Sequence, residues 1–183
     1  MQWHPKTGNL ISASTDRGII VWQQTDGKRK YLPSLCSIKE MKSNLDVAWN
    51  EEGNKFCVGG TSGHVFIGTY NDKLNFWVAS SITEDPPLGK PLHRASVMST
   101  RFDPSGRAVA SASADGMVYV TSAYDPDVDG PGIGPFADMS LDFGERLFKF
   151  KSGVWNNTLA FSPNGEVLAF ACKSKLLRSL STG

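Results

Sequence analysis

One pattern recurs four times along this chain of 183 residues, and it leaves few folds open. Each copy holds an aromatic anchor, a turn, a strand of small apolar residues, a second turn and another strand. The anchors are Trp3, Trp49, Phe102 and Phe161, and the copies run on to Trp22, Tyr70, Tyr124 and Ser181. Thirteen residues after each anchor, in the second turn, stands Asp16, Ser62, Asp115 or Ser174. A register kept four times is the mark of a structural repeat, and it outranks any single-element reading.

The first turns are Pro5-Lys-Thr-Gly8, Glu51-Glu-Gly53, Pro104-Ser-Gly106 and Pro163-Asn-Gly165. Proline presets φ and glycine accepts positive φ, so all four read as hairpin punctuation, each glycine left-handed. Between the copies lie further runs of strand character: Tyr31–Ile38, Phe76–Ile82 and Leu147–Phe150. Others lead into the anchors: Leu45–Trp49, Val97–Phe102 and Thr158–Phe161. No stretch of twelve or more residues keeps apolar spacing of three and four, so little helix is expected. Anchor spacings of 46, 53 and 59 residues exceed the ~40 to 45 of a propeller blade because loops lengthen.

The expected fold is therefore all-β, about four consecutive propeller blades not closed alone; the pattern resembles a WD-repeat β-propeller, which implies a larger, seven-bladed ring. The units are expected at 1–39, 40–82, 83–152 and 153–183, with a Pro/Gly/Asp-rich insertion over 125–140. The chain starts three residues from the end of an innermost strand and stops after the third strand of the fourth unit. Such a piece is expected to be marginally stable and sticky, since an open ring leaves uncovered edges and faces. Runs such as Ser12-Ala-Ser14 and Ala110-Ser-Ala-Ser113 are small where neighbouring blades approach closely.

Charge and composition narrow the function. Nineteen Lys and Arg balance eighteen Asp and Glu, a net +1, which argues against nucleic acid as a partner. The longest apolar run, Val167–Cys172, is far short of a membrane span. Three separated cysteines, Cys36, Cys57 and Cys172, do not make a disulfide framework and suit a reducing compartment, hence the cytoplasm. The first residues have no signal-peptide pattern.

Few side chains form a chemical constellation. Asp125-Pro-Asp127-Val-Asp129-Gly130 copies the first half of a calcium loop, but position twelve is Phe136 rather than Glu, and prolines deny the flanking helices. It reads as a solvated insertion. His4, His64 and His93 lie in different units without ligand spacing, and His4 and His64 read as turn residues. Gly59-Gly60 reads as a close-packing pair rather than a phosphate loop. Lys28-Arg29-Lys30 reads as a solvent-facing cluster. Phe76-Trp77, Phe148 and Trp155 fit either packing or an exposed hot spot, with packing favoured for the first pair. No cofactor is expected, and a propeller hydrolase is disfavoured because the innermost strands offer chiefly Asp46 and no His.

The pattern resembles WD-repeat blades, in which an Asp of the second turn joins a hydrogen-bond network with a Ser or Thr, a Trp and a His. Asp16 and Trp22 match two of those positions and Asp115 one. No linking segment carries the Gly-His element, so the network is expected to be degenerate.

More specific are Asn54–Gly60, Phe76-Trp-Val78, Ser122-Ala-Tyr124, Phe143-Gly-Glu145, and Ser152-Gly-Val-Trp155 leading to Ala160–Gly165. In order and spacing these resemble the WD-repeat subunit, subunit 1, of the actin-related protein 2/3 complex. Members usually carry two Trp at Phe76-Trp77 and are about twice as long. The resemblance implies a non-enzymatic scaffold in a cytoplasmic, cytoskeletal assembly that nucleates branched actin filaments. Its partners would be the other subunits and, indirectly, the filament. Asp125, Asp127, Asp129 and Phe136 of the insertion are the expected partner-facing residues, because inserted loops on a rigid scaffold carry variable contacts. The alternative is a generic WD-repeat adaptor of another assembly, such as a vesicle coat.

Overall fold

The computed structural model describes residues 1–25, 30–71, 73–85, 88–130, 134–136, 142–173 and 177–181. Among them, sixteen strands form four antiparallel sheets and no helix occurs. The first sheet holds β1 (Gln2–Trp3), β2 (Leu10–Ala13), β3 (Gly18–Gln24) and β4 (Tyr31–Ser37). The second holds β5 (Asn44–Trp49), β6 (Lys55–Gly60), β7 (Val65–Asn71), β8 (Phe76–Asp85) and β9 (Lys90–Pro91). The third holds β10 (Val97–Phe102), β11 (Ala108–Ser113), β12 (Met117–Ser122) and β13 (Arg146–Lys151), and the fourth β14 (Asn156–Phe161), β15 (Val167–Cys172) and β16 (Leu177–Ser181).

Strand order follows chain order in every sheet, the up-and-down arrangement of propeller blades. The sheets stack in series: β2 lies against β5, β5 against β10, and β10 against β14, so the first strands of the later sheets line the inside of the stack. Among the described residues the four sheets do not close on themselves, and they form a run of consecutive propeller-type blades.

Three apolar layers fill the spaces between sheets. Ile11, Ile19 and Val21 of the first sheet meet Trp49, Phe56 and Trp77 of the second. Ala48, Cys57 and Ile67 meet Phe102, Val109 and Tyr119 of the third, whose Ala108, Ala110 and Ala112 meet Leu159, Leu168 and Phe170 of the fourth. Close approach explains the small residues: a Cβ on Gly59 would lie 2.5 Å from Val97 Cγ1 across the interface.

Two expectations change. The second sheet continues past residue 82, because Thr83 and Asp85 pair with Pro91 and Lys90 through a hairpin closed by the Leu88 and Gly89 amides donating to the Asp85 carbonyl. Gly53, Gly106 and Gly165 adopt positive φ, but Gly8 does not. In the second turn of the first sheet the left-handed position falls to Arg17 (φ 77), where the second and third sheets place Gly63 and Gly116.

Candidate functional site

The second turns carry the polar network expected of such blades, unequally. In the third sheet His93 Nδ1 donates to the Asp115 carboxylate at 3.1 Å, and Nε2 pairs with the Ser111 hydroxyl at 2.8 Å. Asp115 also accepts from the amides of Arg94 and Met117, both at 2.9 Å. Burial pushes its carboxyl up, but the His93 hydrogen bond and charge and the two amides outweigh that and hold it at about 2. In the third sheet alone among those described the expected degeneracy is relieved in part: Leu92-His93 delivers the imidazole without a preceding glycine.

The Ser111–His93–Asp115 arrangement has the order of a hydrolase triad. Ser111 and His93 are each only 1% exposed, so no acyl substrate reaches the hydroxyl, and the group acts as a strut between linker and sheet. In the first sheet the network is split. Trp22 Nε1 donates to Ser12 Oγ at 2.8 Å, while exposed Asp16 accepts from the Gly18 amide at 2.9 Å. Thr121 stands six residues after Asp115, where Trp22 stands after Asp16. In the second sheet Ser62 meets the sulfur of buried Met41 at 3.4 Å. Ser174 lies outside the described residues.

The described start of the insertion, residues 125–130, is strapped down rather than loose. Lys55, at the start of a fully buried strand, sends its ammonium 68 to 74 residues along the chain, to the Ala123 carbonyl (2.9 Å) and both oxygens of Asp129 (2.6 and 2.7 Å). The Lys55 and Asp129 side chains are 0% and 4% exposed. Burial draws the Lys55 ammonium below its ordinary range, and Asp129 offsets part of that. Asp129 also accepts from the Asp125 amide at 2.8 Å, and Asp125 from the Asp127 amide at 3.0 Å. The cation among these aspartates is therefore an ammonium. Arg107 lies over the Tyr124 ring at 4.9 Å and donates to the Gly130 carbonyl at 2.8 Å.

Phe136 is 1% exposed, wedged between the third and fourth sheets with Phe148 and Phe161. Of the four residues expected to face a partner, Asp129 and Phe136 instead face inward, because each carries the contact that pins the loop. Asp125 is half-buried, Asp127 is exposed, and both stay at the surface of the turn.

Other candidates resolve simply. His4 is a turn residue: its Nε2 donates to the Gly53 carbonyl at 2.9 Å, and Nδ1 accepts from the Lys6 and Thr7 amides. Asp46 is held by Arg101 at 2.5 Å and accepts the Thr100 amide. Trp77 (8% exposed) packs on Trp49, Phe56 and Tyr70, while Phe76 (47%) is open to solvent, as is Trp155. Arg29 and Lys28 lie outside the described residues. Sequence reasoning missed His93, Lys55 and Arg101. Only Lys55 left a signal, a lone charge opening an apolar strand.

Comparison with known proteins follows the same lines. The family "WD domain, G-beta repeat" matches residues 89–122, the third unit. The chain is 29% identical over 174 residues to "Actin-related protein 2/3 complex subunit 1A-B" of Xenopus laevis, covering 93% of the chain and 44% of that relative. It is 28% identical over 172 residues to "Actin-related protein 2/3 complex subunit 1" of Schizosaccharomyces pombe (93% and 43%). To subunit 1A of Arabidopsis thaliana it is 27% identical over 178 residues (97% and 45%). The resemblance read from the motifs is borne out across nearly the whole chain, which spans about half the length of these relatives.

Proposed function

We propose that this chain, WD-repeat blades similar throughout to subunit 1 of the actin-related protein 2/3 complex, is a non-enzymatic scaffold subunit of such a complex. It supports actin filament nucleation and branching through contacts with the other subunits, reaching the filament indirectly and working in the cytoplasm at the cytoskeleton. The observation that carries this reading is the extent of the similarity, which runs through all four sheets rather than one repeat. The polar chemistry agrees with a scaffold: His93, Asp115, Lys55, Asp129 and the Arg101–Asp46 pair are each spent on holding elements together. A rigid stack that presents turns on two rims suits docking of several proteins, with Asp125 and Asp127 at the insertion as contact points. Nucleic acid is not among the partners, given the balanced charge.

Affinity purification of the tagged chain from extract of its own cells, followed by mass spectrometry, tests the reading. Stoichiometric actin-related proteins are expected. Coat subunits, or no stoichiometric partner, overturn it. Depletion of the chain from that material is then expected to reduce branched filaments formed in an actin polymerisation assay.

A further inference from the structure

The outer strand of the third sheet turns its cations to one side. Lys149 pairs with Tyr119 and Lys151 with Met117, so both side chains leave β13 on the face that meets the second sheet. A register shift between Val120 and Thr121 sets Arg146 opposite Thr121, which brings it to that face as well, and its guanidinium lies over the Tyr119 ring at 4.6 Å. Arg94 comes from the segment between β9 and β10. All four cations are exposed, and among the described residues none pairs with a carboxylate.

Between β13 and the end of the second sheet runs a groove with two unlike halves. The first half, about 340 Å³, has Arg94, Lys149 and Lys151 around it and buried Tyr119 in its wall. Asp115 also reaches it, but that carboxylate is already taken up by His93 and two amides. The second half, about 380 Å³, shares Glu84 and Leu92 with the first and is bordered by Asp142, Glu145 and Arg146. Its charge is reversed, with three carboxylates to one guanidinium. Every residue around the groove lies between Thr83 and Lys151, in elements of the second and third sheets or the segments that join them.

We infer that this groove docks a phosphorylated segment of a partner protein. Its phosphoserine or phosphothreonine sits among Arg94, Lys149 and Lys151, and a lysine or arginine of the same segment meets Glu84, Asp142 and Glu145. Cations held unpaired at the wall of a cleft repel one another and focus a positive field into it. A phosphoryl group answers several of them at once, with a charge of about −1.5 to −2 and three acceptor oxygens. A run of carboxylates long enough to fill the groove meets repulsion in the second half, so an acidic tail fits worse than one phosphorylated residue with a cation nearby. Lys149 and Glu145 stand four positions apart, about 13 Å of extended chain, which sets the same spacing in the docked segment. This goes beyond the scaffold reading and does not depend on which assembly the chain joins, so failure of either leaves the other standing.

The experiment is fluorescence anisotropy on the purified chain with a labelled Gly/Ser peptide that carries one phosphoserine and a lysine four residues to either side. Salt of about 0.15 M screens attraction beyond the groove itself. The phosphopeptide is expected to bind at least about tenfold tighter than the same peptide with serine, or than a peptide with a run of glutamates. Lys149→Glu combined with Lys151→Glu is expected to cost about tenfold or more. Glu84→Gln combined with Glu145→Gln is expected to weaken the lysine-bearing phosphopeptide and not its lysine-free counterpart. All four positions are exposed, and far-ultraviolet circular dichroism checks that the variants stay folded. Equal binding of the serine peptide, tighter binding of the glutamate run, or indifference to either pair of substitutions overturns the proposal. Inorganic phosphate that competes as well as the phosphopeptide also overturns it, since the groove would then hold a free anion rather than a protein segment.

Discussion

The first and third sheets are built on one register, yet their second turns behave differently. Asp115 is a hub with an imidazole and two amides on its carboxylate, whereas Asp16, at the same place in its repeat, is exposed and accepts mainly from its own turn. The strand before Asp115 is buried at every position, and the strand before Asp16 only at Ile11. A repeat position thus sets where a side chain stands, while its energetic weight depends on what a neighbouring segment delivers to it.

The largest test asks whether the third sheet owes its solidity to this hub or to the strap from the second sheet. Lys55→Met removes one partner of a buried pair and leaves Asp129 uncompensated, with an expected loss of about 4 kcal/mol in urea unfolding. A loss under about 1 kcal/mol would return the weight to the hub. Asp115→Ala comes next, at about 2 kcal/mol, since His93 stays buried without its acceptor. Asp16→Ala is expected to move the unfolding midpoint far less, and equal shifts would erase the contrast between the two turns.

Backbone conformation gives a smaller and opposite pair of effects. Gly116→Ala puts a Cβ at φ 79 and 3.2 Å from backbone atoms of Gly153 and Val154, so a loss of about 1 to 2 kcal/mol in thermal melts is expected. Arg17→Gly relieves the same left-handed conformation and is expected to gain about 0.5 kcal/mol, reduced by the added freedom of the unfolded chain. A destabilised Arg17→Gly would show that the side chain does something the turn does not require.

The mildest test uses pH. Asp115 titrates at about 2 when folded against an ordinary 3.8, so its stabilisation is complete above that ordinary value and fades as pH falls through the folded one. Melts between pH 5 and 2 are expected to show a steeper decline for the unaltered chain than for Asp115→Asn. Parallel curves would mean that the carboxylate gains nothing from His93. His4 acts near neutrality in the same direction: burial first, then Lys6, lowers its pKa against the Gly53 hydrogen bond, so its contribution is present above 6.5 and lost below.

Much of this architecture was legible in the chain. Anchors, turns and alternating strands are local signals, so the runs at Val97–Phe102 and Tyr31–Ile38 match β10 and β4 within a residue. The Gly-His signal failed because it asks for a dipeptide, whereas the third sheet needs only an imidazole at the right height, and His93 follows Leu92. The expected partner-facing set failed in part for another reason. An Asp- and Pro-rich insertion reads as solvated from composition alone, and nothing local to Asp129 reveals the ammonium 74 residues earlier.

What the amino-acid sequence determined alone is the repeat: side-chain alternation and turn chemistry act over a few residues, and they specify four sheets of one kind wherever those sheets end up. Tertiary structure decided which polar groups matter. Lys55 meets Asp129, His93 meets Asp115 and Phe136 fills the space before the fourth sheet only after the sheets stack, because burial turns an ordinary charge or ring into an obligatory contact.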